Sequence, residues 1–368
     1  MLERIPELDK DIKDKLEKVG IEMDKDKRSA IFLQVDQKVE TSSSYASSIE
    51  MISIKKALEK YDWLHDYFWK VVSRDKDEYT KEVDVEEVDG YFIRALPGAK
   101  VDFPVEACLY LKSPKKQKVH NIIIAEENSE LNIISGCASH PGLTTGMHLG
   151  VSEFYVKKNA KLSFTMIHNW ENNIEVRPRS AAIVEDGGTY ISNYIIMNPV
   201  KIVQSYPTVH LNGDNSTAIM SSVIVAINDS IVDTGSRVII KGKGASAEIL
   251  SRAISKGGTI YSRGDIVGDS PDARGHLECM GMMLSEKGGI IAIPELEAKH
   301  PNVDLSHEAA IGKIAEEEIF YLMSRGFTRD EATAAIVRGF LDIDIKGLPP
   351  ALKKKIDEAI NLVEKELI

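Results

Sequence analysis

The chain has 368 residues, with 46 Lys and Arg against 57 Asp and Glu, which leaves a formal net charge of −11. Its 43% hydrophobic and 28% charged residues are ordinary for a globular protein and exclude a disordered chain, a collagen-like repeat and a disulfide scaffold. The acidic balance argues against general nucleic-acid binding, which needs a basic face.

Two features of the sequence bear on where the protein works. No apolar run approaches the roughly 18 residues of a membrane-spanning helix, and the charged N-terminus lacks the apolar core of a signal peptide. The three cysteines, Cys108, Cys137 and Cys279, are odd in number and far apart in the sequence. This usage suits a reducing compartment. We therefore expect a cytoplasmic protein that does not enter a membrane.

Residues 1–89 are predicted to be an N-terminal helical region. Apolar residues recur at three- and four-residue spacing, as on one face of a helix that ends at Gly20. They are Leu2, Ile5, Leu8, Ile12, Leu16 and Val19. A second helix is predicted over residues 49–72. Its aromatic cluster between Tyr61 and Trp69 is expected to pack against the next layer, and a nucleotide or ligand platform is the alternative.

Residues 90–311 have a hydrophobic period of two, which predicts strands. Turn centres recur at nearly even intervals, one of which has half the usual length: Asn128, Asn159, Gly187, Asp214, Gly244, Gly258 and Gly288. A repeat of about 28 to 30 residues predicts a parallel β-helix, in which each coil adds a rung to long sheets. A β-sandwich, whose consecutive strands pair antiparallel, is the alternative.

Residues 312–368 are predicted to form helices again. Thr328 and Glu331 have the spacing of a capping box, and Leu348, Pro349 and Pro350 introduce a last helix. A small bundle of this kind buries little surface by itself. We expect it to serve as a docking platform for another subunit.

The absence of several catalytic motifs excludes some enzyme classes, and Cys279 points to a metal site. The sequence has no GxxxxGK[ST], HExxH, GxSxG or CxxC, so it is not itself a P-loop ATPase. Cys279 and His307 are one predicted coil apart, which places them on neighbouring strands separated by about 4.8 Å. A thiolate and an imidazole together favour iron, zinc or an iron–sulfur cluster. His276 is a poorer partner because it should face the other side of the strand.

Simple core packing is the alternative for the cysteines, because a lone Cys in a strand is often a small buried hydrophobe. Cys108 precedes Cys137 by about one predicted coil, which nominates that pair as neighbours too. Cys108 stands in an apolar strand, however, and we expect it to belong to the core.

Several blocks of sequence carry a family resemblance: residues 122–137, Asn169-Trp170, residues 233–235 and, above all, residues 279–326 with Ser-His-Glu-Ala at 306–309. From about residue 90 to the C-terminus, with a weaker echo at 61–69, the chain resembles the SufB/SufD family, the scaffold subunits of SUF-type iron–sulfur cluster assembly. The resemblance implies a right-handed parallel β-helix flanked by helical segments. It also implies a SufC-type ABC ATPase bound to the C-terminal helices and a homodimer formed through the C-terminal coils.

The resemblance implies roles for individual residues. Cys137 matches the cysteine that accepts sulfur as persulfide from a sulfur donor, and Trp170 matches a tryptophan on the route to the second cysteine. Cys279, His307 and Glu308 match residues at the subunit interface where the nascent cluster is held. The cluster implied is a transient [2Fe–2S] or [4Fe–4S] cluster, and nothing in the sequence supports a flavin.

Departures from the family pattern concern the sulfur route. His168 stands where the family has Gln, and Tyr110 where it has a basic residue, with Lys112 nearby as a substitute. Ser306-His307 looks SufD-like, whereas Cys137, Cys279 and Glu308 look SufB-like. One chain with both characters suggests that a single subunit type forms the dimer. His140 or His168 is expected to be a cationic neighbour that gives Cys137 thiolate character.

Three other functions stay open at this point. They are a SufD-like structural subunit without its own cluster, a β-helix carbohydrate-active enzyme and a structural zinc protein. Since the chain has no ATPase motif and few strand carboxylates, the sequence favours an assembly scaffold over an enzyme.

Overall fold

The computed structural model describes residues 10–85, 88–198 and 200–341. The α-helices are α1 (Lys10–Lys18), α2 (Ile54–Lys60), α3 (Glu78–Val83), α4 (Glu316–Ser324) and α5 (Arg329–Leu341), and 3-10 helices span Lys25–Lys27 and Asp62–Asp66. None of the helices in these ranges is long and apolar enough to cross a membrane.

Strands make up most of the described chain. They are β1 (Ala30–Val35), β2 (Lys38–Ser44), β3 (Ile49–Ser53), β4 (Tyr91–Ala95), β5 (Val105–Leu111), β6 (Lys116–Ala125), β7 (Glu130–Ser139), β8 (Gly146–Val156), β9 (Lys161–Asn169), β10 (Ile174–Val176), β11 (Arg179–Val184), β12 (Thr189–Ile196), β13 (Ile202–Ser205), β14 (Thr208–Leu211), β15 (Thr217–Ile227), β16 (Ile231–Ile240), β17 (Ser246–Lys256), β18 (Thr259–Gly268), β19 (Arg274–Met283), β20 (Gly289–Ala298) and β21 (Asp304–Lys313).

Two long sheets face each other along the molecule. The first sheet has the strand order β2-β1-β5-β7-β9-β12-β15-β17-β19-β21. The second runs from β3 and β4 through β6 and β8 to β16, β18 and β20, and includes the short strands β10, β11, β13 and β14. Every strand pair from β5 onward is parallel, whereas β1–β2 and β3–β4 are antiparallel. The fold is thus the predicted parallel β-solenoid and not a β-sandwich.

One corner of the solenoid is a stack of turn residues in the left-handed backbone conformation. They are Asn128, Asn159, Gly187, Asn215, Gly244 and Asp272. The backbone N–H of each donates to a carbonyl in the next turn, as Gly187 does to Asp214 at 2.8 Å. Gly, Asn and Asp tolerate this conformation best, which explains why they recur here. The prediction of Asp214 is one residue early, and the others on this corner are confirmed.

A second corner explains the half-length interval in the predicted turn spacing. Asn228, Gly257 and Gly288 have positive φ there, so Gly288 is confirmed as a turn residue and the prediction of Gly258 is one residue late. The half-step is therefore a change from one corner of the coil to the other.

The N-terminal part is less helical than predicted. Three strands, β1 to β3, precede the coils, and β1 pairs in parallel with β5. The predicted helix over residues 49–72 is wrong at its start, because Ile49–Ser53 is a strand and the α-helix covers only Ile54–Lys60. Burial alternates residue by residue along Ile49–Ser53, a period of two that suits a strand with one buried face.

The aromatic cluster at 61–69 packs on the outside of the second sheet, as expected. The rings of Tyr61 and Phe92 are 6.1 Å apart, and those of Tyr67 and Tyr155 are 4.7 Å apart. The buried carboxylate of Glu153 fixes the end of this segment by accepting N–H bonds from Trp69, Val71 and Val72 at 2.6 to 3.1 Å.

Helices cover the outer face of the first sheet. Ile12, Leu16 and Val19 of the N-terminal segment pack there in one cluster with residues of α5. Gly136 permits this approach, since a Cβ at that position would lie 2.4 Å from a methyl of Val19. The capping box is confirmed: Thr328 N–H donates to Glu331 at 2.8 Å, and Glu331 N–H donates to Thr328 Oγ1 at 3.3 Å. The predictions for Leu2, Ile5, Leu8 and Leu348–Pro350 lie outside the described residues.

Candidate functional site

Parallel pairing stacks interior side chains into columns along the inner face of the first sheet. The Cys137 column consists of Leu109, Cys137, His168, Ile196, Ile224, Ala253, Gly281 and Ile311. The Cys279 column consists of Ala107, Ser135, Met166, Tyr194, Ser222, Ser251, Cys279 and Ala309. The two thiols therefore share one interior wall, in adjacent columns.

Cys108 belongs to the opposite face. It pairs with Gly136 and not with Cys137, so that the one-residue offset turns its side chain outward. There it packs in the cluster that the N-terminal helix covers. The expectation that Cys108 is a core residue is confirmed.

His168 is the strand neighbour of Cys137, and Trp170 contacts His168. His168 lies directly opposite Cys137 on the next strand. The indole Nε1–H of Trp170 donates to Nδ1 of His168 at 2.8 Å, which places the imidazole proton on Nε2. Although His168 is buried, its Nε2 has no hydrogen-bond partner among the described residues. The site thus has one free N–H donor beside a thiol.

His168 is not a cationic neighbour of Cys137 in this structure. Burial lowers the pKa of His168 to about 3, with a smaller contribution from His148, and burial raises the pKa of Cys137 to about 12. Both groups are therefore neutral at pH 7. His140 contacts the Tyr110 hydroxyl at 3.2 Å, and the Tyr110 side chain belongs to the outer cluster. The prediction that His168 supplies a positive charge is wrong for this state, because burial disfavours its imidazolium form.

A cavity of about 50 Å³ lies between the sheets and follows the Cys279 column, where Met166, Tyr194, Ser222 and Ser251 line it. Thr234 faces it from the second sheet. The hydroxyls of Tyr194 and Thr234 are buried without a hydrogen-bond partner among the described residues. Buried polar groups are normally paired, so these hydroxyls can serve a polar guest.

The cavity leads toward Cys279. Ser251 is the direct neighbour of Cys279 in the column, and Ser262 contacts both, with its hydroxyl 2.9 Å from Ser251 Oγ and 3.9 Å from the sulfur. Burial raises the pKa of the Cys279 thiol, and the hydrogen bond from Ser262 opposes that shift. The sequence analysis missed these two serines. Ser251 could have been found, because it precedes Cys279 by one predicted coil and should therefore lie beside it on the neighbouring strand.

His307 does not lie directly beside Cys279. It pairs with Leu277, and Cys279 pairs with Ala309, because the last coil takes 30 residues whereas His307 follows Cys279 by 28. Cys279 and His307 still share the inner face, two residues out of register, which corresponds to about 8 Å between their β-carbons. The prediction that Cys279 and His307 are direct neighbours is wrong, whereas both do lie on the inner face of the sheet.

Glu308 lies on the outer face of the sheet. It pairs with Glu278. Glu278 faces outward, because its neighbours Leu277 and Cys279 both face the core. The structure therefore separates Glu308 from the other two predicted ligands within one chain. His276 also faces outward, as expected, and ligand atoms of His276, Glu278 and Glu308 lie within 4.8 Å of one another. The pairing of His276 and Glu278 with strand β21 was not foreseen because Cys279 was matched to His307, 28 residues later, whereas these strands pair at a spacing of 30.

The last coil leaves its inner face open in the described chain. His307, Ala309 and Ile311 of β21 are exposed although they occupy inward positions. On α4 and the turn after it, Phe320, Tyr321, Met323 and Phe327 are also exposed.

Comparison with known proteins agrees with this architecture. Residues 110–340 match the family described as SUF system FeS cluster assembly, SufBD core domain. An Archaeoglobus fulgidus protein named iron-sulfur cluster assembly SufBD family protein is 64% identical over 356 residues, which are 97% of this chain and 96% of the relative. The chain belongs to the SufBD family.

More distant SufBD relatives cover the chain equally well. A SufBD family protein of Methanothermobacter thermautotrophicus is 47% identical over 98% of this chain and 89% of its own length. One of Pyrococcus horikoshii is 30% identical over 98% of this chain and 82% of its own length. Family membership carries a role in iron–sulfur cluster assembly, and the resemblance drawn from the sequence is confirmed at that level.

Proposed function

We propose that this SufBD protein is a scaffold that receives sulfur at Cys137 and holds a nascent iron–sulfur cluster at Cys279. The observation that carries the proposal is the placement of both thiols on one interior wall, joined by columns that contain hydroxyls without a hydrogen-bond partner in the described chain. Cys108, which has no such surroundings, faces the other way. The proposal assigns the chain no catalytic activity of its own.

At the sulfur end, the Cys137 thiolate attacks the outer sulfur of a donor persulfide, and the donor thiolate leaves. Because burial raises the pKa of Cys137 to about 12, its thiol is protonated in the folded chain, and the donor thiolate that leaves takes up this proton as the new S–S bond forms. The unpaired Nε2–H of His168 then donates to the new persulfide. His168 thereby takes the place of the family's Gln as a neutral hydrogen-bond donor, and Trp170 fixes its tautomer.

Between the ends, sulfur has to move along the solenoid axis. The wall from β7 to β19 passes through β9, β12, β15 and β17, which is five strand steps and about 24 Å. The hydroxyls of Tyr194 and Thr234 can donate to a sulfur anion on this route, and the surrounding coils exclude bulk water.

At the cluster end, Cys279 and His307 supply a thiolate and an imidazole near the open coil. One thiolate per chain with histidine gives a weaker and more exchangeable set of iron ligands than four cysteines. The exposed inner face of β21, with Ile311 43% exposed, supports a homodimer through the C-terminal coils. Since Glu308 faces away, the proposal gives it no bond to the cluster held by the thiol of its own chain.

The energy source is proposed to be a SufC-type ABC ATPase. This chain has no P-loop. Phe320 and Tyr321 on α4 are each 58% exposed and, with Met323 and Phe327, form an apolar patch of the kind that marks a protein interface. Residues 312–368 are therefore the proposed docking region, of which 312–341 are described.

The test is anaerobic co-purification with the candidate ATPase, followed by iron and sulfide analysis and visible spectroscopy. We expect stoichiometric iron, a visible charge-transfer band and two chains of each kind. Cys279→Ser should remove most of the iron, whereas the matched variant Cys108→Ser should keep it. Full cluster loading in Cys279→Ser would exclude Cys279 as a ligand.

A SufD-like structural subunit is the second candidate, favoured by the Ser306-His307 pair and by the neutral, buried thiols. It predicts that the wild-type chain and its ATPase form a complex without iron. The same reconstitution separates the two functions, because only the scaffold takes up iron and sulfide in proportion to chains.

A further inference from the structure

Strands β19 and β21 carry a compact group of metal-ligating side chains on their outer face. It consists of His276, Glu278 and Glu308, and one ligand atom from each lies within 4.8 Å of the others. Register explains the convergence, since Glu278 pairs with Glu308 while His276 pairs with Ser306. The group is on the side of the strand opposite to the Cys279 thiol, which faces the core.

The charges of this group leave room for a cation. Two carboxylates that face each other on neighbouring strands repel, and that arrangement normally destabilises a sheet. Arg252 binds Glu278 through a charge-assisted hydrogen bond. Among the described residues Glu308 makes no ion pair, so one of the two negative charges stays uncompensated.

A contact with Ser306 restrains the ring of His276. Its Nδ1 lies 2.9 Å from Ser306 Oγ. Donation from Nδ1–H to that hydroxyl leaves Nε2 with a lone pair for a metal, the arrangement by which outer hydrogen bonds fix histidine ligands. In the same way, the Arg252 contact fixes one oxygen of Glu278 and leaves the other for coordination.

We infer that His276, Glu278 and Glu308 form a binding site for one divalent transition-metal ion. One imidazole and two carboxylates suit Fe²⁺, Mn²⁺ or Zn²⁺, and three protein ligands leave further positions for water. The site does not depend on the proposed assembly function, because it needs no thiol, partner chain or nucleotide. A metal ion bound here would lie across strand β19 from the Cys279 thiol.

The test uses the full chain, stripped of metal under anaerobic conditions, with Co²⁺ as the probe. Co²⁺ reports its ligands directly, since sulfur ligation adds an intense charge-transfer band that nitrogen and oxygen ligands do not. We expect one Co²⁺ per chain, d–d bands and no sulfur band. His276→Ala and Glu308→Gln should each raise the dissociation constant at least about tenfold, and Ser306→Ala should raise it less.

Three controls make the result decisive. Cys279→Ser should bind Co²⁺ like the wild type, which separates this site from the thiol. Glu317→Gln removes an equally exposed charge from α4 and should leave binding unchanged. Thermal unfolding of His276→Ala, Glu308→Gln, Ser306→Ala and Glu317→Gln should match the wild type, because these side chains lie outside the core. Loss of Co²⁺ in Cys279→Ser, normal binding in His276→Ala, or no stoichiometric binding by the folded wild type would each overturn the inference.

Discussion

Cys137 and His168 lie directly opposite each other on neighbouring strands and face the interior of the solenoid. Their burial keeps both groups uncharged, with a thiol pKa of about 12 and an imidazole pKa of about 3. A thiol beside a neutral N–H donor reacts slowly until its proton is removed, and the donor then favours the anion that forms. Burial of the pair therefore keeps Cys137 a thiol in the folded chain.

The first prediction concerns the ionisation of Cys137. In the double variant Cys108→Ser/Cys279→Ser, the only remaining thiol should stay protonated at pH 9, because burial raises its pKa to about 12. The measurement is the ultraviolet thiolate absorbance, as a difference from the cysteine-free triple variant. In denaturant the same thiol should ionise near its ordinary pKa of about 8.5. Thiolate below pH 8 in the folded protein would contradict the assigned environment.

The second prediction concerns acid stability. The pKa of His168 is lowered in the folded state, so the unfolded chain binds more protons below about pH 6.5 and stability falls as the pH falls. Between pH 6.5 and 5 this histidine should cost about 2 kcal/mol. His168→Gln, which keeps a neutral donor, should lose less stability than the wild type over that range, as measured by denaturant unfolding. The exposed control His65→Gln should retain the wild-type dependence, and an identical dependence for His168→Gln would refute the prediction.

The third prediction concerns Glu153. Its carboxylate accepts three backbone N–H groups and contacts His120 Nε2 at 2.9 Å, with no exposure to solvent. Glu153→Gln replaces an acceptor by a donor and should destabilise the protein by about 2 to 3 kcal/mol. Hydrogen exchange should speed up first at residues 69–72. The exposed variant Glu127→Gln is the control, and unchanged exchange at 69–72 would show that the carboxylate does not hold the segment.

The fourth prediction concerns the open coil. Ile311 occupies an inward position of β21 and is 43% exposed. Ile311→Asp should convert the proposed homodimer to a monomer, because a charge at this position has no partner when covered by a second chain. Sedimentation velocity measures the outcome. Phe103→Asp changes an equally exposed residue far from that coil and should leave the dimer intact.

Much of the solenoid could be predicted because its signals are local. Turn residues such as Asn128, Asn159 and Gly187 mark one corner, since each coil needs a left-handed residue there. The period of two in the strands places Cys137 and His168 on the same face once the coil length is known. The family resemblance then supplied the chemical setting for these positions.

Other features could not be read from the sequence because they depend on register. Coils differ in length, so that a single mean length places His307 beside Cys279 whereas the last coil pairs it with Leu277. A register error of two residues leaves a side chain on the predicted face of the sheet but gives it a different neighbour. A register error of one residue moves the side chain to the opposite face. The N-terminal strands were missed for a different reason, since β1 pairs with β5, which follows only after β2, β3, β4, two α-helices and a 3-10 helix.

The corner of stacked left-handed turns reflects an even spacing of the coils along the solenoid axis. Lengthening the solenoid by one complete coil would move Cys279 about 4.8 Å farther from Cys137 and leave both thiols inside. A single inserted residue within a strand would instead turn one thiol out to solvent. The distance between the two sulfurs can thus change only in steps of one whole coil, so that it is fixed by the number of coils between them.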